Sequence, residues 1–422
     1  LDQPEAALTA YDEAAKGESE VAAAAKLGKA WALRKLARHA AAAALFAELA
    51  TAGGTNGSEA QFWAARSYDD ADNTAAAVAA YDAYLKQIPQ GTQADEAAYR
   101  RLAVQARNKG YAAFEAEFAE LVKNRSTSAY AAAALYDLAW SFTEQKKTTA
   151  AAQQFAELVK RFPTDRLAGD ANFRIGEIAY EQGDMPAATA AYEAALATVD
   201  FKDKVLYKLG WALEHQKKHD EALAIYRRLI ETGDDKELAA EARYREGRLL
   251  QTATQYEAAI AAYGQVPPGA FSERAALGKA ESLRLNNAAT EAVAAYRQLL
   301  KDVTDPTVKM QSWLGLGHAY RTAGANKDAV EAYSEVVRLT ETVEAAEAVM
   351  GQGYARLAME EYDEAAKAFL KVDIIYGYDE LKPEAVRMLV KVWEAAGDTA
   401  KADRYRKQLE KMAENSGEKN NP

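Results

Sequence analysis

The chain has 422 residues, of which 49% are hydrophobic and 27% are charged, and this composition is typical of a folded protein rather than a disordered one. The formal net charge is −11, from 52 basic and 63 acidic residues, and no hundred-residue block is strongly basic. This balance argues against binding to nucleic acid and to anionic membranes. Cysteine is absent, which excludes disulfides, thiolate metal sites and a cysteine nucleophile.

No apolar run reaches the roughly 18 residues that a membrane-spanning helix needs, so we expect no direct membrane insertion of this stretch of chain. The chain begins at Leu1, without an initiator Met and already in a helical pattern. This start indicates processing or trimming, so that any signal peptide or lipid anchor would be missing from it.

A Tyr or Phe recurs at a period of about 37 residues, nearly always four places after an Ala. The pairs are Ala77/Tyr81, Phe114/Phe118, Ala151/Phe155, Ala188/Tyr192, Ala222/Tyr226, Ala259/Tyr263, Ala292/Tyr296, Ala329/Tyr333 and Ala365/Phe369. We call these aromatic residues the second-helix ladder. Self-similarity at a fixed period of this length predicts a stack of supersecondary units in place of one compact core.

The sequence predicts a leading helix, a repeat array in two parts, a closing helix pair and a tail, in this order along the chain. Residues 1–20 are predicted to form a stray helix of a truncated unit, and 21–266 the front part of the array. A Pro-Pro-Gly segment then predicts a hinge, followed by the back part at 267–382. Residues 383–413 form a helix pair whose second helix is rich in Lys and Arg, as expected of a polar cap. The polar residues 414–422 are predicted to be a disordered tail.

One unit, residues 310–340, shows the pattern most clearly. One face of its first helix carries Trp313, Leu316, Gly317 and Tyr320. Gly324 then breaks the helix. Ala329 and Tyr333 mark the inner face of a second helix. This resembles the tetratricopeptide repeat, Trp-x2-Leu-Gly-x2-Tyr followed by Ala-x3-Phe. The resemblance implies an all-α solenoid, a right-handed superhelix of about eleven antiparallel helix pairs. It also implies that the first helices line a concave groove in which peptides lie.

The length of the repeat carries a finer resemblance. The standard repeat has about 34 residues, whereas most steps here have 37. Residues 155–188, with Arg161-Phe162-Pro163 followed by Ala171, Phe173 and Ile175-Gly176, look like periplasmic members of the superfamily: TolA-binding cell-division coordinators, lipoproteins of outer-membrane barrel assembly and scaffolds of polysaccharide export. This implies a periplasmic or outer-membrane-associated protein. Cytoplasmic members of the superfamily have the same sequence pattern, so a cytoplasmic location is the alternative.

No catalytic motif stands out, and we expect a protein that is not an enzyme and has no catalytic residue, cofactor or metal. His215 and His219 have a spacing that could place two imidazoles on one metal, but they flank a turn and need not share a helix. An oxygen-rich cluster comprises Asp69, Asp70, Asp72 and Asn73. It lacks the Gly and the distal Glu of an EF-hand loop, so we interpret Asp72 or Asn73 as a helix cap.

A second aromatic ladder lies in the first helices. It comprises Phe62, Tyr99, Tyr136, Phe173, Tyr207 and Tyr244, and Leu277 and Leu314 continue it. Its rings either pack between repeats, which their regular spacing favours, or present apolar faces to a ligand. We call this set the first-helix ladder.

One helical turn later the side chains differ from repeat to repeat, which is where selectivity for a partner would be encoded. Either this row is a solvated face, or it forms a partner-binding groove with Trp140 and Trp211 as its main anchors. The predicted groove residues are Arg66, Trp140, Glu177, Trp211, Arg248, Glu281, Arg284, His318, Arg321 and Tyr354.

The sequence therefore predicts a non-enzymatic scaffold that docks a peptide or partner protein, in bacterial envelope assembly or secretion. Some relatives hold a C-terminal carboxylate with Lys, Asn and Arg in adjacent first helices. Here those places hold mostly Tyr, Phe, Trp and Glu, which argues against a chaperone-tail adaptor. Two alternatives remain open: a carbohydrate-binding or export scaffold, with a glycan as partner, and a regulatory region of a larger protein.

Overall fold

The chain folds into helices joined by short turns. The computed structural model describes residues 3–16, 19–53 and 57–418, and these ranges contain 23 α-helices and no strand. The helices are α1 (Pro4–Ala14), α2 (Ser19–Lys35), α3 (His39–Ala52), α4 (Gly57–Asp70), α5 (Thr74–Gln87), α6 (Ala94–Lys109), α7 (Glu115–Asn124), α8 (Ala131–Glu144), α9 (Thr148–Arg161), α10 (Arg166–Glu181), α11 (Met185–Ala195), α12 (Lys202–His215), α13 (His219–Thr232), α14 (Lys236–Thr252), α15 (Tyr256–Gly264), α16 (Ser272–Leu285), α17 (Ala289–Asp302), α18 (Pro306–Thr322), α19 (Asn326–Leu339), α20 (Val343–Ala358), α21 (Tyr362–Lys371), α22 (Lys382–Ala395) and α23 (Thr399–Glu418). In the described part, no helix is both long and apolar enough to span a bilayer.

The helices form two compact units, Leu1–Gln216 and Lys217–Pro422. The first contains α1 to α12 and the second α13 to α23. Within each unit consecutive helices pack on each other, and first helices of neighbouring repeats also touch, as α14, α16, α18 and α20 do. The order of the helices along the described chain agrees with the predicted all-α repeat array.

Two predicted boundaries can be compared with the helices. The predicted hinge lies inside the second unit, where α15 ends at Gly264 after nine residues and Gly269 has a φ of +153°. The Pro-Pro-Gly segment thus cuts this second helix short, while its role as a hinge stays a prediction. The last helix continues to Glu418, beyond the predicted start of the tail, and 419–422 lie outside the described residues.

Within a repeat, the turn between the two helices uses the same backbone conformation almost throughout the array. One residue of the turn has a φ between +55° and +79° in each case: Ala37, Asp72, Lys146, Gly183, Lys217, Thr254, Asn287, Gly324, Glu360 and Gly397. After Gly324, the Ala325 N–H donates to the Tyr320 carbonyl at 2.9 Å, which closes a Schellman motif. Only glycine adopts this conformation without strain, so most of these turns carry a small energetic cost.

In several repeats a ring of the second-helix ladder lies against glycines of first helices. Tyr333 is fully buried. A Cβ atom on Gly317 of its own repeat would lie 2.5 Å from the ring, and one on Gly351 of the next repeat 2.3 Å. Tyr263 has the same relation to Gly247 and Gly278, at 2.6 and 2.5 Å. Glycine is therefore required at these places because any side chain would displace the ring.

The repeat around Phe114, which has this large residue in the Ala place, departs from the pattern. A 3-10 helix, Tyr111–Phe114, replaces the first turn of the second helix, which leaves α7 only 10 residues long. Phe114 is half-buried, whereas Phe118 keeps the fully buried ladder position. The large side chain thus changes the local backbone and leaves the ladder in register.

Replacing the strained turn residue Thr254 by glycine is expected to stabilise the second unit. Thr254 is exposed, β-branched and held at a φ of +58°. Thr254→Gly removes the clash of its Cβ and should raise the free energy of unfolding by about 1 kcal/mol. Chemical denaturation measures the change, with Gly324→Thr as the reverse substitution in an equivalent turn. A lower stability of Thr254→Gly than of wild type would contradict the assignment of strain.

Gly351→Ala is expected to destabilise the second unit, although alanine is the better helix former by about 1 kcal/mol. The new methyl would lie 2.3 Å from Tyr333, so the ring must move, at a net cost of about 1–3 kcal/mol. Gly264→Ala is the matched control because its Cβ would meet nothing closer than 3.8 Å. Equal denaturation midpoints for the two variants would show that the ring tolerates the methyl.

Candidate functional site

Eight of the ten predicted groove residues occupy equivalent positions on the first helices of their repeats, and Arg284 and Arg321 lie three residues after that position. In the first unit they lie on α4, α8, α10 and α12, and in the second on α14, α16, α18 and α20. Most of them are half-buried, whereas Arg248 and Arg321 are exposed. Most side chains of this row are thus partly covered by their neighbours.

The first-helix ladder beside this row belongs mainly to the core. Phe62 and Phe173 are each only 1% exposed. The ring of Phe173 lies 5.8 Å from that of Tyr192, and the ring of Tyr244 lies 6.0 Å from that of Tyr263. These contacts join the first helix of a repeat to its second helix, so the rings pack within a repeat. Contacts of Phe173 with Phe201 at 5.3 Å and of Tyr244 with Phe271 at 5.7 Å also reach the start of the next repeat.

Groove residues in several repeats bond to the tyrosine of the second-helix ladder in the same repeat. The Tyr192 hydroxyl donates to Glu177 at 2.5 Å, and the Tyr296 hydroxyl donates to Glu281 at the same distance. The Tyr333 hydroxyl lies 2.8 Å from Nδ1 of His318. In each pair the tyrosine follows the groove residue by 15 places, so the buried ring holds the polar side chain on the surface.

The same spacing of 15 residues separates the groove position from the second-helix ladder position in the other repeats. Five of the six ladder tyrosines have Arg, Glu or His 15 residues earlier: Arg66/Tyr81, Glu177/Tyr192, Arg248/Tyr263, Glu281/Tyr296 and His318/Tyr333. The sixth, Tyr226, follows Trp211. The three ladder phenylalanines follow Ala103, Trp140 and Tyr354, none of them charged. A buried hydroxyl needs a polar partner and a phenyl ring does not, which accounts for the three bonded pairs. The Tyr263 hydroxyl instead donates to Gln251, and the buried Tyr81 hydroxyl has no hydrogen-bond partner among the described residues.

In the first unit the groove residues are engaged by neighbouring side chains. Arg66 forms an ion pair with Glu96. The guanidinium of Arg174 lies 5.0 Å from the centre of the Trp140 ring. Aromatic neighbours surround Trp211, with the ring of Tyr180 at 5.6 Å. Both tryptophans are held in place and half-buried, so they offer rigid faces of limited area.

In the second unit the structure brings four predicted groove residues to one cavity of about 480 Å³. Arg248 enters its wall from α14, Glu281 and Arg284 from α16, and His318 from α18. We call this the arginine cavity. Arg321 and Tyr354 lie further along the row: the Arg321 guanidinium is 5.4 Å from the Tyr354 ring centre, and the Tyr354 hydroxyl donates to Glu384 at 3.2 Å.

The arginine cavity opens where the first-helix ladder loses its rings. Leu277-Gly278 and Leu314-Gly315 line the cavity at places where earlier repeats carry an aromatic residue followed by a larger one, such as Tyr244-Arg245. The glycines are required by the ladder of the preceding repeat, because a Cβ on Gly315 would lie 2.4 Å from the Tyr296 ring. Replacement of rings by leucine and glycine thus leaves space between three first helices.

The charge of each groove side chain in the cavity is fixed by its surroundings. Burial opposes ionisation of Glu281, but hydrogen bonds from Arg284 and Tyr296 outweigh it and lower the pKa of this carboxyl. The Arg284 Nε donates to Glu281 at 3.0 Å. Burial, with help from the cations Arg284 and Arg321, lowers the pKa of His318 to about 4. At neutral pH the wall therefore carries a carboxylate and a neutral imidazole beside its guanidinium groups.

Three polar lining residues were not predicted: Arg274, Gln251 and Gln311. Arg274 lies three places before Leu277, so helical spacing alone would have placed both on one face. Gln251 accepts from the Tyr263 hydroxyl at 3.3 Å. No pattern in the sequence indicates that these side chains share a cavity, because that depends on the volume left by the helices around them.

The predicted metal and capping candidates have ordinary structural roles. His215 ends α12 and lies 5.6 Å from the Trp211 ring. The Asn73 side chain accepts from the Ala76 N–H at 3.2 Å and caps α5, as predicted. Asp69 is buried and forms ion pairs with Arg100 and Arg107. Across the described ranges, no three His, Asp or Glu residues are grouped so that they could hold a metal ion.

Models of the tetratricopeptide repeat match residues 59–90, 101–166, 136–203, 173–237 and 314–380, which together cover more than half of the chain. The chain belongs to the tetratricopeptide repeat superfamily. Tetratricopeptide repeats present extended surfaces for protein partners, so this chain is in general terms an interaction scaffold. The arginine cavity is built largely from residues 244–284, which fall between the matched ranges.

Among solved structures, the chain is similar to a tetratricopeptide repeat protein from Parabacteroides merdae, with 21% identity, a TM-score of 0.39, and coverage of 61% of this chain and 98% of that one. It is also similar to the C-terminal part of a tetratricopeptide repeat-containing protein from Cytophaga hutchinsonii, with 13% identity, a TM-score of 0.49, and coverage of 60% and 99% respectively. No curated protein matches the sequence.

Asp137 in the first unit is a buried charge outside the predicted groove. It is 8% exposed, accepts a hydrogen bond from Tyr99, and its Oδ2 has no hydrogen-bond partner among the described residues. Burial raises the pKa of Asp137 to about 6, against the opposing effects of Tyr99 and Arg107. The folded state therefore binds its proton more tightly than the unfolded state does, and the ionised form costs stability at neutral pH.

Asp137→Asn should therefore stabilise the first unit at about pH 7.5 by roughly 1–3 kcal/mol, since the amide keeps an acceptor for Tyr99 and removes the buried charge. The wild type regains this stability as the pH falls from about 6 towards 4, so the difference should shrink there. Denaturation of both proteins at the two pH values measures the effect. A difference that does not depend on pH would contradict the raised pKa.

Proposed function

We propose that the chain is a non-enzymatic scaffold that docks a protein partner on the face formed by its first helices. The observation that supports this is the row of differing side chains at one repeated position, held in place by buried rings. Repeated positions supply the rigidity of the face, and variation along the row supplies selectivity. The groove residues carry recognition in this proposal, and none of them is assigned a catalytic step.

The first unit would supply the apolar anchors of such an interface. Trp140 and Trp211 are half-buried, with Arg174 over one ring and Tyr180 beside the other. A tryptophan fixed by its neighbours loses little conformational entropy on binding, and tryptophan and arginine dominate the energetics of many interfaces. The second unit would supply polar recognition through the arginine cavity.

We further propose that the scaffold serves envelope assembly or secretion in the bacterial periplasm or at the outer membrane. Two observations support this: the chain has no cysteine, and residues 155–188 resemble periplasmic members of the superfamily. A cytoplasmic location is the alternative, because neither observation is specific to one compartment.

A carbohydrate-binding scaffold is the competing function, since indole rings also stack on sugars. That function needs an open ring face, and Arg174 lies over the Trp140 ring at 5.0 Å. This contact favours a protein partner, which can pair with the guanidinium as well as with the ring. The experiment below distinguishes binding of a protein from binding of a carbohydrate.

The test is affinity capture from an envelope extract of the source cell with the wild-type chain as bait, followed by binding measurements on each recovered protein. Trp140→Ala/Trp211→Ala is expected to weaken binding of a true partner at least about thirtyfold, because hot-spot truncations cost about 2 kcal/mol or more. Trp313→Ala is the matched control, since Trp313 is half-buried on α18 and lines a different cavity.

Circular dichroism of each variant verifies that the helices remain folded. Equal binding by wild type and the double variant would move the interface away from the first-helix face. Retention of glycan without any protein would favour the carbohydrate-binding function.

A further inference from the structure

We propose that the arginine cavity of the second unit binds an acidic side chain of an extended partner peptide. This deepens the proposed scaffold function and rests on it, because it assigns one chemistry to one part of the docking face. The site comprises Arg248, Arg274 and Gln311 at its rim, with Glu281 and His318 within.

Size and position suit a peptide segment. The cavity of about 480 Å³ lies within the range of about 300–1,000 Å³ that is usual for ligand sites. Its wall comes from α14, α16 and α18, which are first helices of consecutive repeats. A chain laid across these helices would place one side chain in the cavity and its neighbours along the same row.

The charge of the lining is opposite to that of the whole chain. The lining holds three arginines, 248, 274 and 284, against one carboxylate, Glu281, which gives an excess of two positive charges in a chain of net charge −11. Glu281 is already satisfied by Arg284 and Tyr296. Arg274 is 56% exposed and lies 4.0 Å from Asp305, so its guanidinium can turn to a ligand at little cost.

The remaining lining groups select a carboxylate on an apolar stem. The amides of Gln251 and Gln311 can donate, and so can a neutral His318, whose Nδ1 faces the Tyr333 hydroxyl and leaves Nε2 for other partners. Leu277 and Leu314 offer apolar contact beside these donors. A planar guanidinium pairs with a carboxylate through two parallel hydrogen bonds, which fixes the orientation of the ligand.

Two other occupants fit less well. The lining contains no Lys and no Asn, so it differs from the clamp with which some relatives hold a C-terminal carboxylate. A polyanion such as a nucleic acid would extend beyond the cavity and be repelled by a chain of net charge −11. An isolated Asp or Glu within a mostly apolar segment meets the positive lining without this repulsion.

The probe is an array of synthetic random-sequence 12-residue peptides, read with the full labelled chain. We expect Asp or Glu to be enriched at one position among the bound peptides. For a synthetic peptide with that preference, exchange of the acidic residue for its amide should weaken binding at least about tenfold. Arg248→Gln/Arg274→Gln should have the same effect and abolish the enrichment.

The matched control is Arg297→Gln/Arg338→Gln, which removes two exposed arginines of the same unit outside the cavity. A second variant, Gln311→Trp, fills the cavity from an exposed position and should weaken binding without changing the charge. Circular dichroism establishes that each variant is folded.

Absence of an acidic preference, or a preference that survives in Arg248→Gln/Arg274→Gln, would overturn the proposal. So would binding of heparin or an oligonucleotide that depends on Arg248 and Arg274 while acidic peptides do not bind. A captured protein partner together with an array that shows no acidic preference would leave the scaffold standing and reject only the acidic site. Failure to capture any protein would reject the scaffold itself.

Discussion

The packing of one aromatic ring between two first helices is the contact on which the rest of the structure depends. The ring of Tyr333 lies against Gly317 of its own repeat and Gly351 of the next, so a single side chain joins the two helices of a pair and also two successive repeats. Contacts of this kind join helices that are close in the sequence, and each repeat therefore derives much of its stability from the neighbouring repeats. The alanines four places before the rings and the glycines opposite them follow from this geometry.

The same rings determine what the surface can present. In three repeats the ladder tyrosine bonds to the groove residue of its own repeat with its hydroxyl, as in the pair of Glu281 with Tyr296. Where the ladder is phenylalanine, the groove residue is Ala103, Trp140 or Tyr354. In the bonded repeats the core therefore constrains the choice of surface residue, because the buried hydroxyl needs a polar partner there.

Much of the fold could be predicted from the sequence because the same packing of a ring against small residues recurs at a regular period. The period, the Ala-to-ring spacing and Gly324 predict helix pairs and the turn between them. The 3-10 segment that ends at Phe114 was not predicted, although this large residue in the Ala place marks its repeat as atypical. The arginine cavity could not be predicted, because it depends on how much volume Leu277 and Leu314 leave between three helices. Of the groove residues, four converge on that cavity, and six lie elsewhere along the row. The relation between groove residues and tyrosines 15 places later is visible in the sequence, but its meaning requires the hydrogen bonds.

The bonds between ladder tyrosines and groove residues have a thermodynamic consequence for recognition. An exposed Glu or His usually samples several rotamers and loses that freedom when a ligand binds. Here Glu177, Glu281 and His318 have already lost it on folding, because each is tied to a buried ring. The entropic cost of ordering the binding face is thus met by the folding of the repeats, and a partner that fits the fixed arrangement binds without inducing it.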